Sequence, residues 1–169
     1  MQPWVDGLAA RSITAAAIDI PVKKAESAVE AYRAAALAAG PAGAADGLVI
    51  GGQSYGGRVA SLLVASEADE ASPWRGLVRI CYPLHRPGAP ESGLRTEHWP
   101  KLRLPILMLS GEADPFARIE VLRSAVSDGL PQAQLVTYPR VGHSLSSVMD
   151  DAVERIAAFV SGLARPSAG

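Results

Sequence analysis

Short apolar runs alternate with amphipathic segments along most of the chain. Five runs are apolar enough, and of the right length, to form buried β-strands. They cover residues 12–20, 47–51, 77–82, 104–110 and 134–138. The intervening segments carry apolar residues at helical spacing, beginning with Val22, Ala25, Val29, Tyr32 and Ala36, continuing with Val59, Leu62 and Leu63, then Ile119, Leu122 and Val126, and ending with Val148, Ala152, Ile156 and Phe159. This order predicts an α/β fold with a mostly parallel sheet flanked by helices.

Length and composition restrict the class of protein further. With 169 residues, of which 49% are apolar and 20% charged, the chain is expected to form one domain over 1–169, with a flexible tail at 165–169. A formal net charge of −1 supplies no basic surface for nucleic acid. Because we find neither a leader pattern nor a run of roughly 18 apolar residues, we expect no membrane contact and a cytoplasmic protein. Cys81 is the only cysteine, which excludes an internal disulfide, and we expect it to be a small buried thiol.

The segment from Gly52 to Gly56 reads Gly-Gln-Ser-Tyr-Gly and joins a predicted strand to a predicted helix. A sharp strand-to-helix turn presents the serine hydroxyl clear of the chain, and side chains at Gly52 or Gly56 would collide with neighbouring elements. The alternative is that these glycines form only a tight strand-to-helix turn without a catalytic role. A phosphate loop is disfavoured, because the Gly-Lys-Ser/Thr ending is missing. The pattern therefore predicts that Ser54 is a nucleophile.

A nucleophilic serine needs a base and an acid, which in such a site follow later strands in the order Ser, Asp or Glu, His. Asp114 follows the predicted strand 104–110 and is our predicted acid, with Glu112 as the alternative. His143 lies in the turn after the last predicted strand and is our predicted base. The other two histidines, His85 and His98, precede Asp114 and are out of order for that role.

Three further residues are expected near the reacting atoms. Tyr55 begins the helix after Ser54, so its backbone N–H is the predicted oxyanion donor. Gln53 and His85 are predicted to contact the substrate, which would be a small ester or lactone. No group of histidines and carboxylates has a convincing metal-ligand spacing, and we expect neither a metal nor another cofactor.

With these residues placed, positions 12–164 resemble the α/β-hydrolase superfamily. The segments 52–61, 82–88, 95–98 and 111–116 resemble a subfamily of small, capless, dienelactone-hydrolase-like proteins. Eukaryotic relatives in that subfamily include a subunit of a histone acetyltransferase complex that looks non-catalytic. The resemblance implies the fold and the Ser54, Asp114 and His143 set, and it does not imply a substrate.

The chain departs from the superfamily pattern at its N-terminus. Residues 1–11 resemble the first helix, and residues 12–20 resemble the fourth strand, so no residues remain for the first three strands or for the His-Gly-rich loop with the second oxyanion N–H. Either the fourth strand pairs directly with the fifth, or the chain is an N-terminally truncated fragment, which is the expectation we favour. Because one missing oxyanion donor costs about a hundred- to a thousandfold in rate, we expect weak activity.

Two functions of different classes follow. The first is a serine hydrolase, of carboxylesterase or lactonase type, that cleaves small acyl compounds through Ser54, Asp114 and His143. The second is a non-catalytic scaffold that keeps the fold and binds a protein partner. The complete set of three residues favours the enzyme, whereas the missing oxyanion loop favours the scaffold.

Overall fold

The computed structural model describes residues 1–40, 47–68, 72–90 and 93–163. Within them, four strands form a single parallel sheet in the order β1-β2-β3-β4. The strands are β1 (Leu48–Gln53), β2 (Trp74–Ile80), β3 (Ile106–Gly111) and β4 (Ala133–Tyr138). This confirms the predicted α/β class and four of the five predicted strands, whose ends shift by at most three residues. The predicted tail at 165–169 lies outside the described residues.

Five α-helices flank the sheet in the described parts of the chain. They are α1 (Gln2–Ala9), α2 (Val29–Ala39), α3 (Tyr55–Ser66), α4 (Ile119–Gly129) and α5 (Met149–Gly162). Short 3₁₀ turns precede α2 and α5, at Ala25–Ala28 and Ser146–Val148, and a third lies at Trp99–Lys101. The longest of these helices has 14 residues, and none in the described segments is long and apolar enough to cross a bilayer.

The core has two layers, one on each face of the sheet. On one face, α2, α3 and α4 cover the inward side chains of the strands, including Leu77, Ile106 and Met108. On the other face, α1 and α5 cover Val78 and Leu107. The two central strands, β2 and β3, are thus buried on both faces, which is why they are mostly apolar instead of alternating.

The predicted strand at 12–20 is wrong, because residues 13–22 have no regular secondary structure. A strand exists only where a neighbouring backbone completes its hydrogen bonds. At the outer edge of β1, the Tyr32 hydroxyl meets that need for Gly51, donating to its carbonyl oxygen at 2.6 Å and accepting its N–H at 3.1 Å. Direct pairing of the 12–20 segment with β1, the first of our two alternatives, is therefore not what the structure shows.

The helix predicted to begin at Val22 begins later. Val22 is 91% exposed, the 3₁₀ turn starts at Ala25, and regular α-helix starts at Val29. The backbone before the turn is used elsewhere, since the Lys23 N–H donates to the Tyr55 hydroxyl at 3.3 Å. Apolar periodicity alone places the start of a helix at the first residue that fits the pattern. It carries no information on a competing hydrogen bond of this kind.

Candidate active site

The four strands are parallel, so their carboxyl ends meet at one edge of the sheet. Ser54 follows β1, Asp114 lies just after β3, and His143 lies in the turn after β4. In open α/β sheets this edge is where ligands bind. Ser54, Asp114 and His143, which are far apart along the chain, therefore lie close together at this edge.

Ser54 occupies a strained turn between β1 and α3. Its φ of 49° lies in the left-handed region that residues with a side chain rarely adopt. The Ser54 N–H donates to the Ile80 carbonyl oxygen at 2.7 Å, which continues the pairing of β1 with β2 up to the serine. The turn therefore begins abruptly at Ser54, and the helix starts at the next residue.

Two glycines allow the strand and the helix to approach each other at this turn. A Cβ on Gly52 would lie 2.8 Å from the Gly56 carbonyl carbon, and a Cβ on Gly57 would lie 2.6 Å from the Gly52 carbonyl oxygen. The expectation for Gly52 is met, but the one for Gly56 is wrong, because a Cβ there would meet nothing within 4 Å. The close approach depends on Gly57 instead, which faces β1 from one residue further along α3.

Ser54, His143 and Asp114 form a continuous hydrogen-bonded chain. The Ser54 Oγ lies 2.8 Å from His143 Nε2. On the opposite side of the ring, His143 Nδ1 lies 2.8 and 2.9 Å from the two carboxylate oxygens of Asp114. With a proton on Nδ1 held by the carboxylate, Nε2 is free to accept the serine proton.

The carboxylate of Asp114 is held in place by burial and by a backbone hydrogen bond. Its side chain is completely buried, whereas that of His143 is 27% exposed. The Phe116 N–H donates to Asp114 Oδ1 at 2.8 Å, in the local turn that Asp commonly forms with the residue two positions on. The Phe116 ring also lies against the imidazole, with ring centroids 4.5 Å apart. Asp114 and Phe116 together set the orientation of His143.

Glu112, the alternative acid, is engaged elsewhere. Its carboxylate accepts hydrogen bonds from Arg123 at 2.6 Å and from the Thr137 hydroxyl at 2.8 Å. These partners lie on α4 and β4, and the geometry thus separates the two acidic candidates that the sequence left open. Asp114 is the one that contacts His143.

Tyr55 contributes in two ways. As the first residue of α3, its backbone N–H has no acceptor within the helix and lies next to Ser54. Its hydroxyl donates to the Pro21 carbonyl oxygen at 3.0 Å and accepts the Lys23 N–H. The side chain thus ties the 21–24 segment to the start of α3, a role that the sequence did not suggest.

The two residues predicted to contact the substrate both bond to other parts of the protein. Gln53 Nε2 donates to the His143 carbonyl oxygen at 3.5 Å, so this side chain supports the histidine turn. His85 is 2% exposed, its Nδ1 lies 2.9 Å from the Arg86 carbonyl oxygen, and its Nε2 accepts the Arg118 N–H at 2.8 Å. Both imidazole nitrogens are therefore occupied, and His85 faces a different cleft from Ser54.

Cys81 directly follows β2, lies next to the same cluster and is buried as expected. One ligand atom each from Cys81, Asp114 and His143 lie within 4.8 Å of one another, a spacing that a metal ion could use. The chemistry of the donors does not favour one. Burial raises the pKa of the thiol to about 12, and a metal binds the thiolate. Asp114 and His143 are moreover bonded to each other.

The sequence and the fold agree with one family. Residues 16–161 match the profile of the alpha/beta hydrolase domain family, and this chain belongs to that family.

Solved structures with the same fold include enzymes that act on acyl bonds. A monoacylglycerol lipase from Paleococcus ferrophilus is 12% identical, with a TM-score of 0.75 over 95% of this chain and 88% of the lipase. The esterase Pf2001 from Pyrococcus furiosus is 12% identical, with a TM-score of 0.70 over 95% and 75% of the two chains. A candidate dienelactone hydrolase from Klebsiella pneumoniae is 20% identical, with a TM-score of 0.56 over 78% of this chain and 57% of its own. At these identities the similarity establishes the fold.

Proposed function

We propose that this chain is a serine hydrolase that cleaves small esters, lactones or related acyl compounds at Ser54. One observation carries the proposal: the Ser54 hydroxyl, both nitrogens of His143 and the buried Asp114 carboxylate are joined by hydrogen bonds of 2.8 to 2.9 Å. Membership of the alpha/beta hydrolase family and the fold shared with a lipase and an esterase support the same class of reaction.

In the proposed reaction, Ser54 Oγ attacks the acyl carbon while His143 Nε2 takes its proton. Asp114 holds the imidazole and stabilises the imidazolium that forms. The bond from the acyl carbon to the leaving oxygen then breaks, and that oxygen takes the proton from His143. Water, deprotonated by His143, attacks the acyl group on Ser54 and releases the acid, which regenerates the serine.

The negative charge on the acyl oxygen needs hydrogen-bond donors that are already in place. The Tyr55 N–H is the donor we propose, because it lies at the free N-terminus of α3 beside Ser54. Our expectation that turnover is slow stays a prediction. The decisive experiment should therefore trap the serine covalently instead of depending on many turnovers.

The proposal is tested with a fluorophosphonate probe, which forms a stable bond only with an activated serine. We expect labelling of the intact chain at Ser54, located by peptide mass spectrometry, and its loss in Ser54→Ala. Ser61→Ala is the matched control, because Ser61 also lies 2.8 Å from a histidine, His98, and should label like the native chain. A folded protein that does not label at Ser54 would contradict the proposal and favour the non-catalytic scaffold.

A further inference from the structure

A cleft of about 290 Å³ opens beside Ser54 and is lined by an unusual set of charges. Its walls come from four stretches that are distant in sequence: the segment before α2, the start of α3, the loop after β2 and the loop after β3. Four basic side chains and one acidic side chain line it, namely Lys23, Lys24, Arg58, Arg95 and Glu26. The chain as a whole has a net charge of −1, so positive charge is concentrated at this cleft.

Among the described residues, one of these four cations forms an ion pair. Arg58 is paired with Glu26 at 2.6 Å. Lys23, Lys24 and Arg95 have no carboxylate within ion-pair distance in the described parts of the chain. The cleft therefore keeps uncompensated positive charge next to the serine.

Arg95 is held in place by uncharged groups. Its Nη1 donates to the Pro83 carbonyl oxygen at 2.9 Å, and its backbone N–H donates to the Leu84 carbonyl oxygen. Burial, followed by the nearby cations Arg58 and Arg86, lowers its pKa. A neighbouring anion would relieve this repulsion, because opposite charge favours the ionised form of a basic group.

The two lysines are also anchored. The hydroxyl of Tyr55 bonds to the Pro21 carbonyl oxygen and to the Lys23 N–H, which fixes the backbone of the lysine segment to the first residue after Ser54. The backbone of Lys23 is thereby attached to α3, and Lys23 and Lys24 both line the cleft. Their ammonium groups add long-range attraction for an anion that enters.

We propose that the acyl compound cleaved at Ser54 carries an anionic group, a carboxylate or a phosphate, which binds to Lys23, Lys24 and Arg95. This inference rests on the proposed function, since it names the substrate class of the same serine. The cleft is large enough to hold a small acyl compound. Phe116, which also lines the cleft, supplies an apolar surface for the uncharged part of the substrate.

The first test compares two esters of nearly equal size, 4-nitrophenyl hydrogen succinate and its neutral methyl ester. At low salt we expect kcat/KM to favour the anionic ester by about tenfold, with the preference falling as sodium chloride screens the charges. Lys24→Gln and Arg95→Gln should each reduce the preference several-fold. Lys101→Gln, an exposed lysine outside the cleft, should not. An anionic-to-neutral ratio at or below one in the native chain would overturn the proposal.

The second test uses protection of Ser54 from the fluorophosphonate probe and does not require turnover. Succinate or inorganic phosphate should slow labelling more than sodium chloride of equal ionic strength, and the better protector identifies the anionic group. Equal effects of all three salts would overturn the inference while leaving the serine hydrolase standing. Absence of any labelling of Ser54, together with no hydrolysis of either ester, would overturn the proposed function and the substrate class with it.

Discussion

Two histidines of this chain each lie 2.8 Å from a serine hydroxyl, yet their surroundings are opposite in charge. His143 contacts Ser54 on one side and the buried carboxylate of Asp114 on the other. His98 contacts Ser61, and no carboxylate contacts its ring in the described residues; the cations Arg79 and Arg58 lie nearby instead. The distance between serine and histidine is thus the same in the two pairs. They differ in the charged group near the histidine, which is a carboxylate for His143 and arginines for His98.

The difference decides what each histidine can do with a proton. Beside Asp114, an imidazolium formed during a reaction is stabilised by the carboxylate. Burial, with Arg79 and then Arg58, lowers the pKa of His98 from 6.5 to about 4, and this histidine consequently resists protonation at neutral pH. Only the first arrangement suits a general base. The second is a structural contact that joins α3 to the loop before β3.

The serines differ as much as the histidines. Ser54 sits at a positive φ at the free start of α3, whereas Ser61 lies within that helix and donates to the Arg58 carbonyl oxygen at 2.9 Å. The Ser61 hydroxyl is fully buried. A reactive serine requires an exposed oxygen and a nearby free N–H, and a mid-helix position offers neither.

The largest expected effect comes from removing the charge behind His143. Asp114→Asn keeps an oxygen that can accept the Phe116 N–H but favours the wrong tautomer of His143, so the rate of labelling at Ser54 should fall about ten-thousandfold. Glu112→Gln is the matched control and should label within about twofold of the native rate, because the Glu112 carboxylate bonds to Arg123 and Thr137 and not to His143. Equal losses in the two variants would contradict the role of Asp114. Melting curves establish that both variants are folded.

Much of this comparison could be predicted from the sequence. The three parts of the proposed site were found because each follows a recognisable apolar run, and parallel strands bring their carboxyl ends together. The chain order also excluded His98 as the base. The spacing of apolar residues and the order of the three residues along the chain are enough for this prediction. They are enough because, in a parallel sheet, residues that follow different strands meet at the same edge of the sheet.

Other features depend on contacts between distant segments, which no local pattern encodes. Residues 12–20 resemble a strand, but pairing needs a partner backbone, and the Tyr32 hydroxyl caps the edge of β1 at Gly51. The basic cleft combines lysines before α2 with arginines from α3 and from the loop after β2. The close contact was predicted at Gly56 instead of Gly57 because motif spacing does not reveal which Cβ would face the strand.

A smaller effect is expected from crowding the Ser54 turn. In Gly57→Ala, the new methyl group would lie 2.6 Å from the Gly52 carbonyl oxygen, so the strand and helix must separate. We expect about 1–3 kcal/mol of lost stability and about a hundredfold slower labelling of Ser54, since small displacements of reacting groups are costly. Gly56→Ala should instead be neutral or stabilise by about 0.5 kcal/mol, because its Cβ meets nothing and alanine favours helix. If Gly57→Ala unfolds no earlier than Gly56→Ala in urea, the proposed contact does not control the turn.

The smallest expected effect is a change in the pH dependence of stability that is caused by His98. Because folding lowers its pKa from 6.5 to about 4, the neutral form is favoured in the folded chain. The contribution of this histidine is therefore complete above pH 6.5 and is lost as the pH falls through 4. Allowing for partial exposure, the loss should be about 2 kcal/mol. In His98→Gln, which keeps a donor for Ser61, the free energy of unfolding measured in urea should decline less than in the native chain between pH 6.5 and 4. Parallel declines would show that folding does not lower the pKa of His98.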